Sequence, residues 1–358
     1  MLKKFRTKID IIDKKLLDLL NQRANIAKQV ADYKKSSNNT IIFRPDRESQ
    51  IIKNLRSINK GPLNADHIHN IYREIISSCL SLETNLNVSF LGPEGTYSEI
   101  ATTKFFGSSI DKNSKNNIHE VFDSVKNKTS HYGVVPVENS NQGSIKNTLD
   151  FLIKYKVNIC GEQNIPIRHC LMSSSSLKSN IKKIYAHNQT LSQCTSWLTK
   201  NYPNVERIAS DSNAQAALSA KKYKKSACIA NEICSKLYKL KIISRNIHDV
   251  HNNTTRFLII GNTDVSKSNN DKTTFIMSLE NKSGALAKIL QVLSANKISM
   301  TKIESIPTKE KNWEYLFLID LSGHISDRKV TNALDKIESS SKFFQLLGSY
   351  PKLSLIHI

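Results

Sequence analysis

Residues 5–35 read FRTKIDIIDKKLLDLLNQRANIAKQVADYKK, and this stretch decides the fold of the N-terminal part of the chain. At 100° per residue, Ile12, Leu16, Leu19, Arg23, Ile26, Val30 and Lys34 fall within roughly an 80° sector, one side of a long helix. Two cations therefore interrupt an otherwise apolar face. A buried cation without a partner is costly, so Arg23 and Lys34 require an anion. The blander reading is a surface helix whose cations snorkel past the core or pair with protein acids.

Working outward, the polar run 36–40 ends this first helix. Pro45 precedes a second helix with Ile51, Ile52, Leu55 and Ile58 on one side and Asp46 as its expected cap. Lys60-Gly61-Pro62 closes it. A third helix carries Ile68, Ile71, Tyr72, Ile75, Ile76, Cys79 and Leu80. Glu48 and Glu83 face inward with these side chains, so two inward acids accompany two inward cations. Three helices, one of them about 45 Å long, make a poor closed monomer core. The first helix therefore expects a partner, and a homodimer is the simplest.

Residues 86–263 change texture. Strands at 88–92 and 132–137 run into polar turns, and strands at 183–186, 206–209 and 226–229 each precede a helix. A strand at 257–260 closes the segment. This is α/β rhythm, with polar groups beyond strand C-terminal ends, where open α/β sheets bind ligands. Residues 261–271 read as a polar linker, and the patches 173–176 and 266–270 as loops. Strands at 273–279, 298–303, 313–321 and 343–347, with helices at 284–293 and 329–337, give residues 272–350 the βαββαβ order of a ferredoxin-like α+β module.

The 358 residues exceed one ordinary core. A formal net charge of +21 raises the question of nucleic acid, but the charge is diffuse. There is no dense arginine stripe, zinc-finger spacing or RNP motif, so no specific nucleic-acid partner is expected. The six cysteines lack CxxC or zinc spacing and read as reduced thiols of a cytoplasmic protein. No signal segment or membrane-length apolar run is seen, so no membrane partner is expected. His169, His187 and His251 form no convincing hydrolase triad.

The helical segment resembles the AroQ-type chorismate mutases on Arg6, Asp13, Leu16-Leu17, Arg23, Lys34, Arg47-Glu48 and Glu83. The resemblance implies an all-α three-helix domain over residues 1–85 that dimerises by intertwining. It assigns chorismate binding to Arg6 from the partner subunit, Arg23, Lys34, Arg47, Glu48 and Glu83. Lys34 is expected at the ether oxygen of the breaking bond and Glu48 at the ring hydroxyl, with Glu83 as the third catalytic group. The reaction is a pericyclic rearrangement, served by folding a flexible dianion and stabilising charge on its ether oxygen, so no metal or cofactor is expected. Two positions depart from the family. Arg44 stands where an Asp is common, and Glu83 where a Gln is common. An ionised Glu cannot donate a hydrogen bond, so Glu83 is expected to work protonated.

Residues 86–263 resemble prephenate dehydratases on FLGPEGTYS (90–98), VPVENS (135–140) with Gly143, HCL (169–171) and NTTRF (253–257). The resemblance implies a two-lobed α/β domain that strips the ring carboxylate and hydroxyl from prephenate to give phenylpyruvate. Thr255 is then the hydrogen-bond donor to the leaving hydroxyl. Glu138, Asn139, Ser212 and Gln193 bind prephenate, Gln189 belongs to a cleft loop, and Arg256 either shapes the site electrostatically or anchors its strand by a salt bridge.

Residues 272–350 resemble an ACT domain on Ser283-Gly284-Ala285-Leu286-Ala287 and Glu304-Ser305-Ile306-Pro307. This implies L-phenylalanine as effector, bound by Gly284, Ala285, Leu286, Glu304 and Ser305, with Gly284 allowing close backbone approach. Ala287 replaces a usual Val and Ile306 a usual Arg, so the feedback is expected to be weakened or altered. The combined reading is a bifunctional enzyme taking chorismate through prephenate to phenylpyruvate. The alternative keeps the dehydratase alone, with the helical domain as a dimerisation scaffold, as Arg44 and Glu83 suggest. A small-molecule sensor is a further class, against which Thr255 with Asn139 argues.

Overall fold

The computed structural model describes residues 1–36, 43–175, 181–250, 252–307 and 315–352. Three helices come first, α1 (Leu2–Ser36), α2 (Pro45–Ile58) and α3 (Ala65–Ser81). Within one chain α1 buries only Ala31. Ile12, Leu16, Leu19 and Ile26 stay between 51 and 62% exposed, so the apolar stripe is built but uncovered. Pro45 takes the first helical position of α2, where a missing N–H costs nothing. Asp46 is not the cap expected of it. Arg44 holds the cap position without a side-chain cap bond, and Asp46 lies buried in the first turn, 3.0 Å from the Arg44 guanidinium. The Asn64 Oδ1 caps α3 by accepting from the His67 N–H at 2.8 Å. Most of the 36–40 break lies outside the described residues.

The middle domain has two lobes. The first holds β1 (Asn87–Leu91), α4 (Tyr97–Phe106), β2 (Asp111–Lys115), α5 (Ile118–Lys126), β3 (Tyr132–Asn139), β4 (Gly143–Ser144), α6 (Lys146–Lys154) and β5 (Asn158–Pro166). The second holds β6 (Cys170–Ser173), β7 (Lys183–His187), α7 (Asn188–Gln193), α8 (Thr195–Asn201), β8 (Glu206–Ser210), α9 (Asn213–Lys222), β9 (Ser226–Ala230), α10 (Ile233–Tyr238) and β10 (Lys241–Ser244). The chain returns to the first lobe as β11 (Thr254–Gly261), giving sheet orders β2-β1-β3-β11-β5 and β10-β6-β9-β7-β8. Two chain crossings join the lobes. They are tied by Ile167 N–H to the Asn253 carbonyl at 2.8 Å and Ile247 N–H to the His169 carbonyl at 3.0 Å. Ser176 and His251 lie outside the described residues.

The C-terminal domain follows as β12 (Asp271–Ser278), α11 (Ala285–Ala295), β13 (Met300–Pro307), β14 (Tyr315–Ser322), α12 (Arg328–Ser339) and β15 (Phe343–Pro351). Its order β13-β14-β12-β15 is the ferredoxin-like arrangement expected from the sequence; Trp313 lies outside the described residues. The residues between Gly261 and Asp271 are not a free linker. Val265 and Ser268 are buried, and the His324 imidazole hydrogen-bonds the Val265 carbonyl at 2.8 Å.

One apolar core runs through the boundary between the last two domains. Val135, Leu258 and Ile260 pack with Ile276, Ile306, Leu318 and Tyr350. At Gly348 (φ +147°) a Cβ would lie 2.4 Å from the Ile159 carbonyl oxygen, so only glycine lets β15 lie on β5. Beside this core sits a buried ion cluster. Arg256 bridges Glu162 and Asp320, each at 2.8 Å, and Lys272 reaches Glu162 at 2.7 Å. Asp320→Ala would leave two buried cations sharing one carboxylate. It is expected to destabilise the chain by about 3–5 kcal/mol, read as a lowered urea midpoint with unchanged slope; an unmoved midpoint would contradict the assignment.

Candidate active sites

A cavity of about 680 Å³ opens between α1, α2 and the end of α3. Arg23 and Lys34 reach it from α1, Arg47 and Glu48 from α2, and Glu83 from just beyond α3. Lys34 Nζ lies 3.1 Å from Glu83 Oε2. Glu48 is buried and ion-paired with Arg73 of α3. Burial pushes its carboxyl above the ordinary value, while Arg73 and then Arg23 pull it back. The outer wall comes from the connection between the last two domains. Ser266 accepts a hydrogen bond from Arg44 at 3.3 Å, and the Lys267 carbonyl accepts one from Gln50 at 3.1 Å. Arg6 precedes Arg23 by almost five turns, roughly 25 Å along the axis, and cannot reach the cavity of its own chain.

The second constellation lies where β3 and β11 run antiparallel, with Thr255 directly opposite Asn139. Both are buried. Asn139 Nδ2 donates to Thr255 Oγ1 at 2.9 Å and to Asn253 Oδ1 at 2.8 Å, while its Oδ1 accepts from the Asn141 N–H at 3.1 Å. That backbone donor fixes which end of the amide is oxygen. The Thr255 oxygen is thus engaged as an acceptor, and its own proton is directed to no acceptor among the described residues. Gln142 of the first lobe meets Gln189 of the second across the cleft. In the second lobe Ser212 caps α9, accepting from the Gln215 N–H at 3.0 Å. Gln193 Oε1 lies 2.9 Å from His169 Nε2. Burial pushes the His169 imidazole down to about 4, against the Gln193 bond, so it is neutral near pH 7.

A third arrangement sits on β13. Lys302 Nζ lies 2.7 Å from Glu138 of β3 and 3.1 Å from Glu304, which also accepts a hydrogen bond from Ser144 of β4. Gly284, before α11, has φ +78°, and a Cβ there would meet nothing within 4 Å.

Three family models match in order: chorismate mutase type II over residues 5–84, prephenate dehydratase over 88–265 and the ACT domain over 273–339. A bifunctional chorismate mutase/prephenate dehydratase from Stutzerimonas stutzeri is 42% identical, covering 99% of this chain and 98% of the relative. The chain belongs to that bifunctional family. The Pseudomonas aeruginosa enzyme of the same description is 41% identical with the same coverage. Among solved structures, an Arthrobacter aurescens prephenate dehydratase in complex with L-Phe is similar at TM-score 0.68 and 28% identity, over 74% of this chain and 90% of that one.

Within this bifunctional family member, the mutase candidates Arg23, Lys34, Arg47, Glu48 and Glu83 share one cavity, and Arg6 stands apart. Glu83 is ion-paired with Lys34, an arrangement that uses the carboxylate as an acceptor. On the dehydratase side Asn139 and Thr255 are brought together, and Ser212 and Gln193 lie on the other lobe. Among the described residues no hydrogen bond links those two to the pair. Asn139 donates both amide protons to protein oxygens, one of them that of Thr255. Glu138 is turned to the ACT domain and paired there. Arg256 is the strand anchor of the two readings left open.

The ACT candidates are split. Neighbours on a strand point to opposite faces, so Glu304 faces the dehydratase while Ser305 is exposed on the other side. Gly284 takes a positive φ, with open space where a Cβ would lie. Ile306, the departure from arginine, is 4% exposed in the shared core, where an unpaired guanidinium would be costly. Sequence reasoning gave no site role to Arg73, Asn253 or Lys302, and read Asp46 only as a helix cap. Of these only Asn253 carried a signal, as a member of the NTTRF run.

Proposed function

We propose that this chain works as two catalytic centres on one polypeptide, with the roles of individual residues as follows. The family carries both activities: rearrangement of chorismate to prephenate, then decarboxylation and dehydration of prephenate to phenylpyruvate. In the helical cavity Arg23, Arg47 and the partner's equivalent of Arg6 hold the two carboxylates of chorismate. Lys34 stabilises charge growing on the ether oxygen, Glu83 orients Lys34, and Glu48 accepts from the ring hydroxyl. In the cleft Thr255 donates to the departing hydroxyl, oriented by Asn139, and Ser212 and Gln193 contact prephenate from the other lobe. The observation that carries the reading is the convergence of Arg23, Lys34, Arg47, Glu48 and Glu83 on one cavity.

The uncovered stripe of α1 supports a homodimer. The division 1–85, 86–263 and 272–350 is supported by the matched residues 5–84, 88–265 and 273–339. Six free, buried cysteines support a reducing, cytoplasmic setting. Among the described residues no helix is long and apolar enough to cross a membrane. L-phenylalanine is the proposed effector of the ACT domain, with weakened feedback because Ile306 fills core and Glu304 is engaged elsewhere.

The test supplies the purified full chain with chorismate and follows chorismate, prephenate and phenylpyruvate separately. Chorismate is expected to fall as prephenate and then phenylpyruvate appear. Turnover of prephenate but not of chorismate would select the dehydratase-only alternative. In the same assay phenylalanine is expected to inhibit prephenate turnover weakly and without cooperativity; strong, cooperative inhibition at micromolar effector would refute the weakened-feedback reading.

A further inference from the structure

Glu48 stands in the wall between two cavities. One is the mutase cavity, and the other, of about 310 Å³, lies behind α2 against α3, α4 and β5. The Glu48 carboxylate is bonded to the Arg73 guanidinium from the second side. Arg73 in turn lies over the ring of Phe105 on α4, with its carbon 5.8 Å from the ring centroid. Its side chain is 13% exposed, and its Nε is buried without a hydrogen-bond partner among the described residues. A guanidinium that leaves a donor unpaired to keep one carboxylate and one ring is oriented by those two contacts.

We propose that Arg73 is a positioning residue for the chorismate rearrangement, holding the Glu48 carboxylate in place to receive the ring hydroxyl, with Phe105 of the dehydratase domain fixing Arg73. The inference rests on the reading of Glu48 as the hydroxyl anchor. It makes the geometry of the first catalytic centre depend on an aromatic side chain of the second domain.

The charge balance around Glu48 explains why Arg73 is needed. From α1, Arg23 approaches it and Lys34 is engaged by Glu83. On α2 itself, Asp46 is paired with Arg44, and Arg47 opens onto the mutase cavity. From the interdomain connection, Lys267 is paired with Asp327. In the rear cavity Lys53, Arg56, His69 and Lys352 also face the space, and Glu162 is held by Arg256 and Lys272. Arg73 is the cation bonded to the carboxylate. Burial raises the Glu48 carboxyl, and Arg73 is first among the charges opposing it. Without Arg73 a proton binds more readily, and a neutral acid is a poorer acceptor for the ring hydroxyl.

The experiment measures mutase kcat and KM against pH for full-length Arg73→Gln, Arg73→Lys and Glu48→Gln, with prephenate turnover of each as the check of folding. Arg73→Gln is expected to move the acid limb of kcat/KM toward neutral pH by about one unit, roughly tenfold in activity on that limb. Arg73→Lys is expected to keep the limb near its wild-type place. Prephenate turnover should be unchanged in both. A uniform loss at every pH, or wild-type mutase activity in Arg73→Gln, would overturn the proposal. If Arg73→Gln loses prephenate turnover too, Arg73→Lys decides, because a limb displaced despite a retained cation would also overturn it. Glu48→Gln should remove the limb altogether; a wild-type profile in that variant would refute the role of Glu48 itself, a separate failure.

Discussion

A Thr255→Val chain is expected to turn over prephenate roughly a hundred- to ten-thousand-fold more slowly than wild type while rearranging chorismate at the normal rate. The direction of one hydrogen bond carries this expectation. Asn139 donates into the Thr255 oxygen at 2.9 Å, so under the proposed role the hydroxyl proton is available to the departing oxygen of the substrate. Valine keeps the shape and removes that proton. It also strands a buried Asn139 N–H, which costs about 1–3 kcal/mol of stability. Thr255→Ser keeps the hydroxyl and is expected to retain a substantial part of the activity. Steady-state assays with prephenate and with chorismate separate the two centres. Wild-type prephenate turnover in Thr255→Val would remove Thr255 from the mechanism.

The second large effect concerns the mutase. Arg6→Ala and Arg23→Ala are each expected to lose nearly all chorismate turnover, yet mixing them by unfolding and refolding together should restore about a quarter of it. Arg23 lines the cavity of its own chain, while Arg6 lies roughly 25 Å away along the same helix. If Arg6 serves the partner's cavity, each mixed dimer regains one intact site of its two. Half of all randomly formed dimers are mixed, hence the quarter. No recovery on mixing, with dimers shown by sedimentation, would mean that Arg6 does not cross. Prephenate turnover should be unaffected throughout.

The sequence announced the long first helix because a period of 3.6 makes Arg23 and Lys34 visible as intruders in an apolar stripe. The ferredoxin-like order and the two-lobed α/β rhythm were legible for the same reason, since strand and helix periods differ. Arg73 was hidden. Its partners are Glu48, twenty-five positions earlier, and Phe105 in another domain, and neither pairing leaves a local pattern. Lys302 was hidden likewise, because its contact with Glu138 exists only once two domains are docked. Glu304 and Ser305 are adjacent in the ACT motif, and strand alternation places them on opposite faces. Asn139 stood out in the VPVENS run, but its bonds to Thr255 and Asn253 join distant segments and leave no local pattern.

The uncovered face of α1 also sets an order of events during synthesis. It precedes both larger domains in the chain, and folding of its own chain buries almost none of it. At roughly 5–20 residues per second, the remaining chain takes on the order of a minute or less to follow. Throughout that interval the apolar face stays uncovered by its own chain. For the proposed homodimer, neighbouring ribosomes on one message would supply second copies at close range, which favours pairing between nascent chains over a search through the cell by finished ones.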